Sequence, residues 1–147
     1  MEVAAAGLVP GRRQRFEPAA PAISGRILVV EDDPQVRAGV VEQLSSLGYR
    51  VTEATDGETG LAAFLEARRP FDLVLTDVVM PGAVGGRALA DEVRWRSPGP
   101  PVILMSGHAE DAVLPAGHLG PGLHLIEKPF RKRDLARLVR MALDGAR

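Results

Sequence analysis

The stretch Ile27-Leu-Val-Val-Glu-Asp-Asp-Pro34 decides how this chain folds. Four branched apolar residues in a row are too few for a helix and suit a strand buried on both faces. Three carboxylates then end the run abruptly. Asp33-Pro34 supplies an N-cap and a proline at the first helical position, so an acid-tipped strand passes directly into a helix. Val36, Val40, Leu44 and Leu47 continue that helix as one apolar stripe, and Gly48 stops it.

The same alternation runs to the end of the chain. Short apolar runs are expected as strands at 50–54, 73–76, 102–105 and 123–126. Asp56 can cap a second helix carrying Leu61, Phe64 and Leu65, with Arg68 and Arg69 in its last turn before Pro70. A third helix runs through Leu89 and Val93 to Ser97-Pro98. The last carries Leu135, Leu138, Val139 and Ala142. Between the fourth and fifth strands, Glu110 to Leu114 can start a helix. Pro115, Gly117, Gly120, Pro121 and Gly122 come so soon afterwards that one or two turns and then irregular chain are expected. Five strand-then-helix repeats predict an α/β fold, doubly wound, with a parallel sheet between two helical layers and a short or irregular fourth helix.

Composition sets the outer bounds. The chain has 147 residues, of which 46% are hydrophobic and 25% charged, which is the balance of one globular domain. A formal charge of −1 gives no global basic field for nucleic acid or an acidic membrane. No apolar run is long enough to span a bilayer, and a cytoplasmic location is expected. With no cysteine, disulfides, thiolate metal sites and a cysteine nucleophile are excluded. Residues 1–24 are rich in Ala, Pro and Gly with Arg12, Arg13 and Arg15 among them, and read as a disordered tail or linker. The folded unit is placed at 25–147.

The polar residues at the carboxyl end of each strand carry the chemistry. Strand one ends in Glu31-Asp32-Asp33, strand three in Thr76-Asp77, strand four in Ser106-Gly107 and strand five in Glu127-Lys128-Pro129. Ligands of open α/β sheets bind outside the carboxyl ends of the strands, where all four groups lie. If strands one and three are neighbours, Asp32 and Asp77 share one cluster; Lys128, two strands further on, is roughly 10 Å away and within a lysine's reach. Glu31, Asp32 and Asp77 would repel one another unless a cation joined them. Lys128 and one divalent ion balance three negative charges. Oxygen donors without Cys or a nearby His favour Mg²⁺. With a lysine, a hydroxyl at Ser106 and an open metal position, the group can hold a phosphoryl unit, and Asp77 is placed as a nucleophile. Taken singly, Asp33 is a helix cap, Asp77 a turn residue and Lys128 a solvated surface lysine. Their joint occurrence behind four separate strands is what points to phosphoryl transfer.

These residues resemble a known family. From Arg26 to Leu143 the chain is similar to the receiver domain of two-component signalling proteins, through Ile27–Pro34, Ala54-Thr-Asp-Gly57, Asp72-Leu-Val-Leu-Thr-Asp-Val-Val-Met-Pro81, Met105-Ser-Gly107 and Glu127-Lys-Pro-Phe130. The resemblance implies a flavodoxin-like (CheY-like) three-layer sandwich with strand order 2-1-3-4-5. It implies Asp77 as phosphoacceptor, with Ser106 and Lys128 on the phosphoryl group. Mg²⁺ would be held by Asp32, Asp77, the Val79 backbone carbonyl and, through water, Glu31. It also implies a cis Lys128–Pro129 bond.

The chain departs from the family at Leu125, where an aromatic switch residue is common, so the signal is expected to pass through ordering of residues 108–122. His108, beside the site, is a candidate for tuning phosphate lifetime. His118 and His124 read as structural or exposed.

The function implied is a phosphoaccepting switch that takes its phosphoryl group from a histidine kinase or a histidine phosphotransfer protein. It would then change a face read by a downstream protein. It would catalyse its own modification and not act as an enzyme on other substrates. No direct nucleic-acid or membrane contact is expected, and a homodimer is a family habit. Four residues come after Leu143, which suits a stand-alone regulator or the C-terminal receiver of a hybrid sensor kinase. A non-phosphorylated adaptor of the same fold is the competing class. A haloacid-dehalogenase-type phosphohydrolase would need a second Asp where Val79 stands. A flavin site would need Ser, Thr and Gly where Glu31, Asp32 and Asp33 would repel phosphate.

Overall fold

The computed structural model describes residues 24–96, 99–107 and 122–145. In chain order the elements are β1 (Arg26–Val30), α1 (Pro34–Ser46), β2 (Arg50–Ala54), α2 (Gly57–Glu66), β3 (Leu73–Asp77), α3 (Gly86–Trp95), β4 (Val102–Ser106), β5 (Leu123–Glu127) and α4 (Lys132–Gly145). The five strands form one parallel sheet in the order β2-β1-β3-β4-β5, as the resemblance implies. The expected short helix between β4 and β5, with His108 and His118, lies outside the described residues.

Successive strand residues point to opposite faces and so divide the core into two layers. Ile27, Val29, Leu73, Leu75, Ile103 and Met105 face one side and pack with Val40 and Leu44 of α1 and Leu135 and Val139 of α4. Leu28, Val30, Val74, Val102 and Leu104 face the other and pack with Leu89, Ala90 and Val93 of α3. The residues of β3 and β4 are buried throughout, which is why Leu73–Leu75 and Val102–Met105 are apolar without alternation. The edge strand β2 is largely exposed and correspondingly polar.

The helix starts obey the expected chemistry. The Asp33 carboxylate accepts hydrogen bonds from the backbone N–H groups of Gln35 and Val36 at 2.8 and 3.2 Å. Asp56 and Thr59 form a reciprocal capping box, and these bonds hold the Asp56 carboxyl below its ordinary pKa. Gly48 leaves α1 at φ 103°, a conformation costly for any side chain. Two ends differ from expectation. The helix α2 stops at Glu66, with Ala67 already extended, so Arg68 and Arg69 lie beyond it and do not cap its last turn. The helix α3 stops at Trp95, before Ser97-Pro98. Three strands reach one residue further than their apolar runs, because Asp77, Ser106 and Glu127 still belong to the ladder.

Candidate functional site

The register of the sheet assembles the site. Val30 pairs with Thr76 across β1 and β3, so Glu31 and Asp77, the next residues of each strand, emerge side by side. Asp77 pairs with Met105 and Ser106 with Glu127, which carries the same rim across β4 to Lys128. The Lys128 backbone N–H donates to the Ser106 carbonyl at 2.7 Å. The Lys128–Pro129 peptide is cis.

From there the Lys128 side chain reaches back across two strands. Its Nζ donates to Glu31 Oε1 at 2.6 Å and to Asp77 Oδ2 at 3.2 Å. One ligand oxygen each from Glu31, Asp32 and Asp77 lies within 4.8 Å of the other two. Glu31 is 1% exposed and Asp77 9%, whereas Asp32 faces solvent. Both Glu31 oxygens are engaged, Oε1 by Lys128 and Oε2 by the Asp33 backbone N–H at 3.1 Å. Asp77 Oδ1 is left outside the Lys128 bond. Ser106 is 1% exposed at the end of β4. The Val79 side chain is exposed on the loop after β3.

The charges respond to this crowding. Burial raises the Glu31 pKa above its ordinary value, against the pull of its bonds to Lys128 and Asp33, and the nearby Asp77 charge adds to the rise. Burial pulls the Lys128 pKa down, but its bond to Glu31 and the charges of Asp77 and Glu31 outweigh that, and the net direction is up. The lysine therefore stays protonated. The donor set is all oxygen, clustered and only partly neutralised by one ammonium, which fits a hard divalent cation with Asp32 open to solvent.

Two further residues, Arg37 and Gly86, shape the site from outside the strand-end pattern. Arg37 Nη1 donates to the Glu31 backbone carbonyl at 2.8 Å while its Nε bonds Glu53 Oε1 at 3.3 Å, tying the acidic loop to β2. Gly86 starts α3 against the Asp77 backbone; a Cβ there would lie 1.7 Å from the Asp77 carbonyl oxygen. The adjacent Gly85-Gly86 pair was its one sequence signal. Leu125, at the family's aromatic position, is partly buried against the core layer that contains Leu104. His124 is half-buried on β5, and burial lowers its pKa.

Comparison with known proteins shows the family and agrees with the fold. Residues 27–140 match the response regulator receiver domain family. The chain is 33% identical over 121 residues to the response regulator receiver protein CpdR of Brucella abortus, covering 82% of this chain and 98% of that protein. It is 37% identical over 121 residues to the sensor kinase CckA of the same organism, 82% of this chain but only 13% of the kinase. It covers 35% of the transcriptional activator protein PfeR of Pseudomonas aeruginosa, with 38% identity. Among solved structures, a CckA receiver domain from a hybrid histidine kinase superposes with TM-score 0.68 at 34% identity, over 81% of this chain and 99% of that one. A CheY-like receiver from Methanospirillum hungatei superposes with TM-score 0.72 at 30% identity, over 84% and 97%.

Asp-tipped strands, a shared lysine and a five-stranded sheet in this order define a receiver module of two-component signalling. The chain belongs to the response regulator receiver domain family.

Proposed function

We propose that Asp77 is the phosphoacceptor of a phosphorelay. The observation that carries this is the Lys128 Nζ bond to Asp77 Oδ2, made within a cluster of three carboxylates suited to a divalent ion. In the proposed step an Asp77 carboxylate oxygen forms the new P–O bond. The donor is a phosphohistidine of a histidine kinase or phosphotransfer protein whose ring is protonated on its other nitrogen. Its P–N bond breaks, the electron pair stays on the nitrogen that carried the phosphoryl group, and the ring leaves as neutral imidazole. Lys128 stays protonated and pairs with the phosphoryl oxygens; the Ser106 hydroxyl donates to another. Glu31, Asp32, Asp77 and the Val79 backbone carbonyl would hold Mg²⁺. Bound there, the ion neutralises the carboxylates and the charge on the transferring group.

The acyl phosphate then shifts an existing equilibrium of the adjoining loops, which a downstream protein reads. The receiver unit is placed at 25–147, with 1–24 as a tail or linker, in the cytoplasm. Among the described residues no helix is long and apolar enough to cross a membrane. Similarity to CckA equally supports a receiver within a hybrid sensor kinase, and similarity to CpdR a stand-alone regulator.

The test is incubation with Mg²⁺ and acetyl phosphate, read by intact mass. One added phosphoryl group is expected, lost in Asp77→Asn and lost on chelation. Unchanged labelling of Asp77→Asn would refute the assignment.

A further inference from the structure

The opposite end of the sheet holds a second concentration of charge. Arg26 opens β1 and Arg50 opens β2, and the two are register partners, so their side chains leave neighbouring strands about 4.8 Å apart. Arg69, ahead of β3, lines the same cleft, as do Asp72 and Gly48; its volume is about 530 Å³. Like charges directly opposite in a sheet repel. Among the described residues no carboxylate oxygen lies within 4.0 Å of any of the three guanidinium groups. The acid in the cleft, Asp72, accepts instead from the Arg26 backbone N–H at 2.8 Å. Arg26 Nε is buried with no hydrogen-bond partner. Its guanidinium carbon stands 5.4 Å from the Phe71 ring centroid, a cation–π contact that offsets desolvation but offers no acceptor oxygen.

We propose that this cleft binds a phosphate-class anion with at least two adjacent charged groups, pyrophosphate being the smallest. Three cationic groups against one carboxylate leave the cleft positive, and guanidinium forks match phosphate oxygens two at a time. Paired arginines on adjacent strands suit neighbouring phosphates better than one. A single orthophosphate would fill a small part of the volume. Tyr49 and Phe71, the nearby aromatic rings, are buried, so no ring is free to stack a nucleobase, and recognition falls on the phosphate chain. The cleft lies at the amino ends of the strands, away from Asp77, and the proposal stands apart from the phosphoacceptor role.

Calorimetric titration of the full chain with sodium pyrophosphate tests it, at low salt and with EDTA so that metal bridging is removed. One site is expected. Arg50→Glu and Arg69→Glu, both at exposed positions, should each weaken binding at least tenfold while leaving acetyl phosphate labelling unchanged. Asp77→Asn should bind pyrophosphate as the parent does. Orthophosphate should bind at least tenfold more weakly, and ATP no more tightly than pyrophosphate. Absence of binding at millimolar pyrophosphate, or binding indifferent to both arginine substitutions, would overturn the site. Equal orthophosphate affinity would overturn the two-group ligand, and much tighter ATP binding would overturn recognition of the phosphate chain alone.

Discussion

Lys128 keeps 22% of its side chain exposed while Glu31 keeps 1%, so the lysine can be lost to solvent but the carboxylate cannot. Removing the ammonium leaves Glu31 buried and uncompensated beside Asp77. Lys128→Met is expected to destabilise the fold by about 3 kcal/mol without divalent ions, the low end for breaking a buried pair because the lysine is partly solvated. Saturating Mg²⁺ should recover part of that loss, since a bound cation supplies the missing counter-charge. Urea midpoints with and without Mg²⁺ check this; equal losses in both would separate the lysine from the metal cluster. The residues of this cluster were readable from sequence because each sits at or just past the carboxyl end of its own strand. Arg37 was not, because its role lies in the direction of a flexible side chain toward a backbone carbonyl, and no periodicity records that.

At the scale of elements, the cap on α1 has two jobs. Asp33 satisfies two backbone donors, and its own N–H restrains Glu31 Oε2. Asp33→Ala should cost about 1 kcal/mol of stability by loss of the cap, with a weaker effect on Mg²⁺ affinity than Asp32→Ala. Denaturant titration and metal titration of the two variants give the comparison. Strand and helix identities were legible because apolar runs and caps agree with each other along the described chain. The ends were less so: Asp77 and Ser106 look like loop residues by composition, yet the ladder continues through them since their backbone groups still find partners in the neighbouring strands. Arg68-Arg69 failed as a terminal turn because Ala67 turns extended one residue after Glu66. A basic pair before a proline carries no information about where the turn breaks.

Across the whole molecule, the parallel order places strand-end chemistry on one rim and leaves His124 in the edge strand with its pKa lowered by burial. A histidine depressed in the folded state binds fewer protons there than in the unfolded chain. Stability from this group is therefore fully present above its ordinary value of about 6.5 and declines as pH falls below it. Urea midpoints between pH 7.5 and 5 should fall, and His124→Gln should flatten that slope; an unaltered slope would remove His124 as its source. In the core, Leu104→Ala empties a fully buried position in the layer under α3 and should cost about 2–5 kcal/mol, read by thermal or denaturant unfolding.

The Lys128 bond to Glu31 spans 97 positions of sequence. A nascent chain emerging from the ribosome thus carries its acidic tips long before their counter-ion is made, and β1 gains its second neighbour only when β3 has been translated. Any product cut short ahead of Lys128 holds repelling carboxylates without the ammonium that bonds Glu31 and Asp77. The rim is therefore complete only once Lys128 has been added.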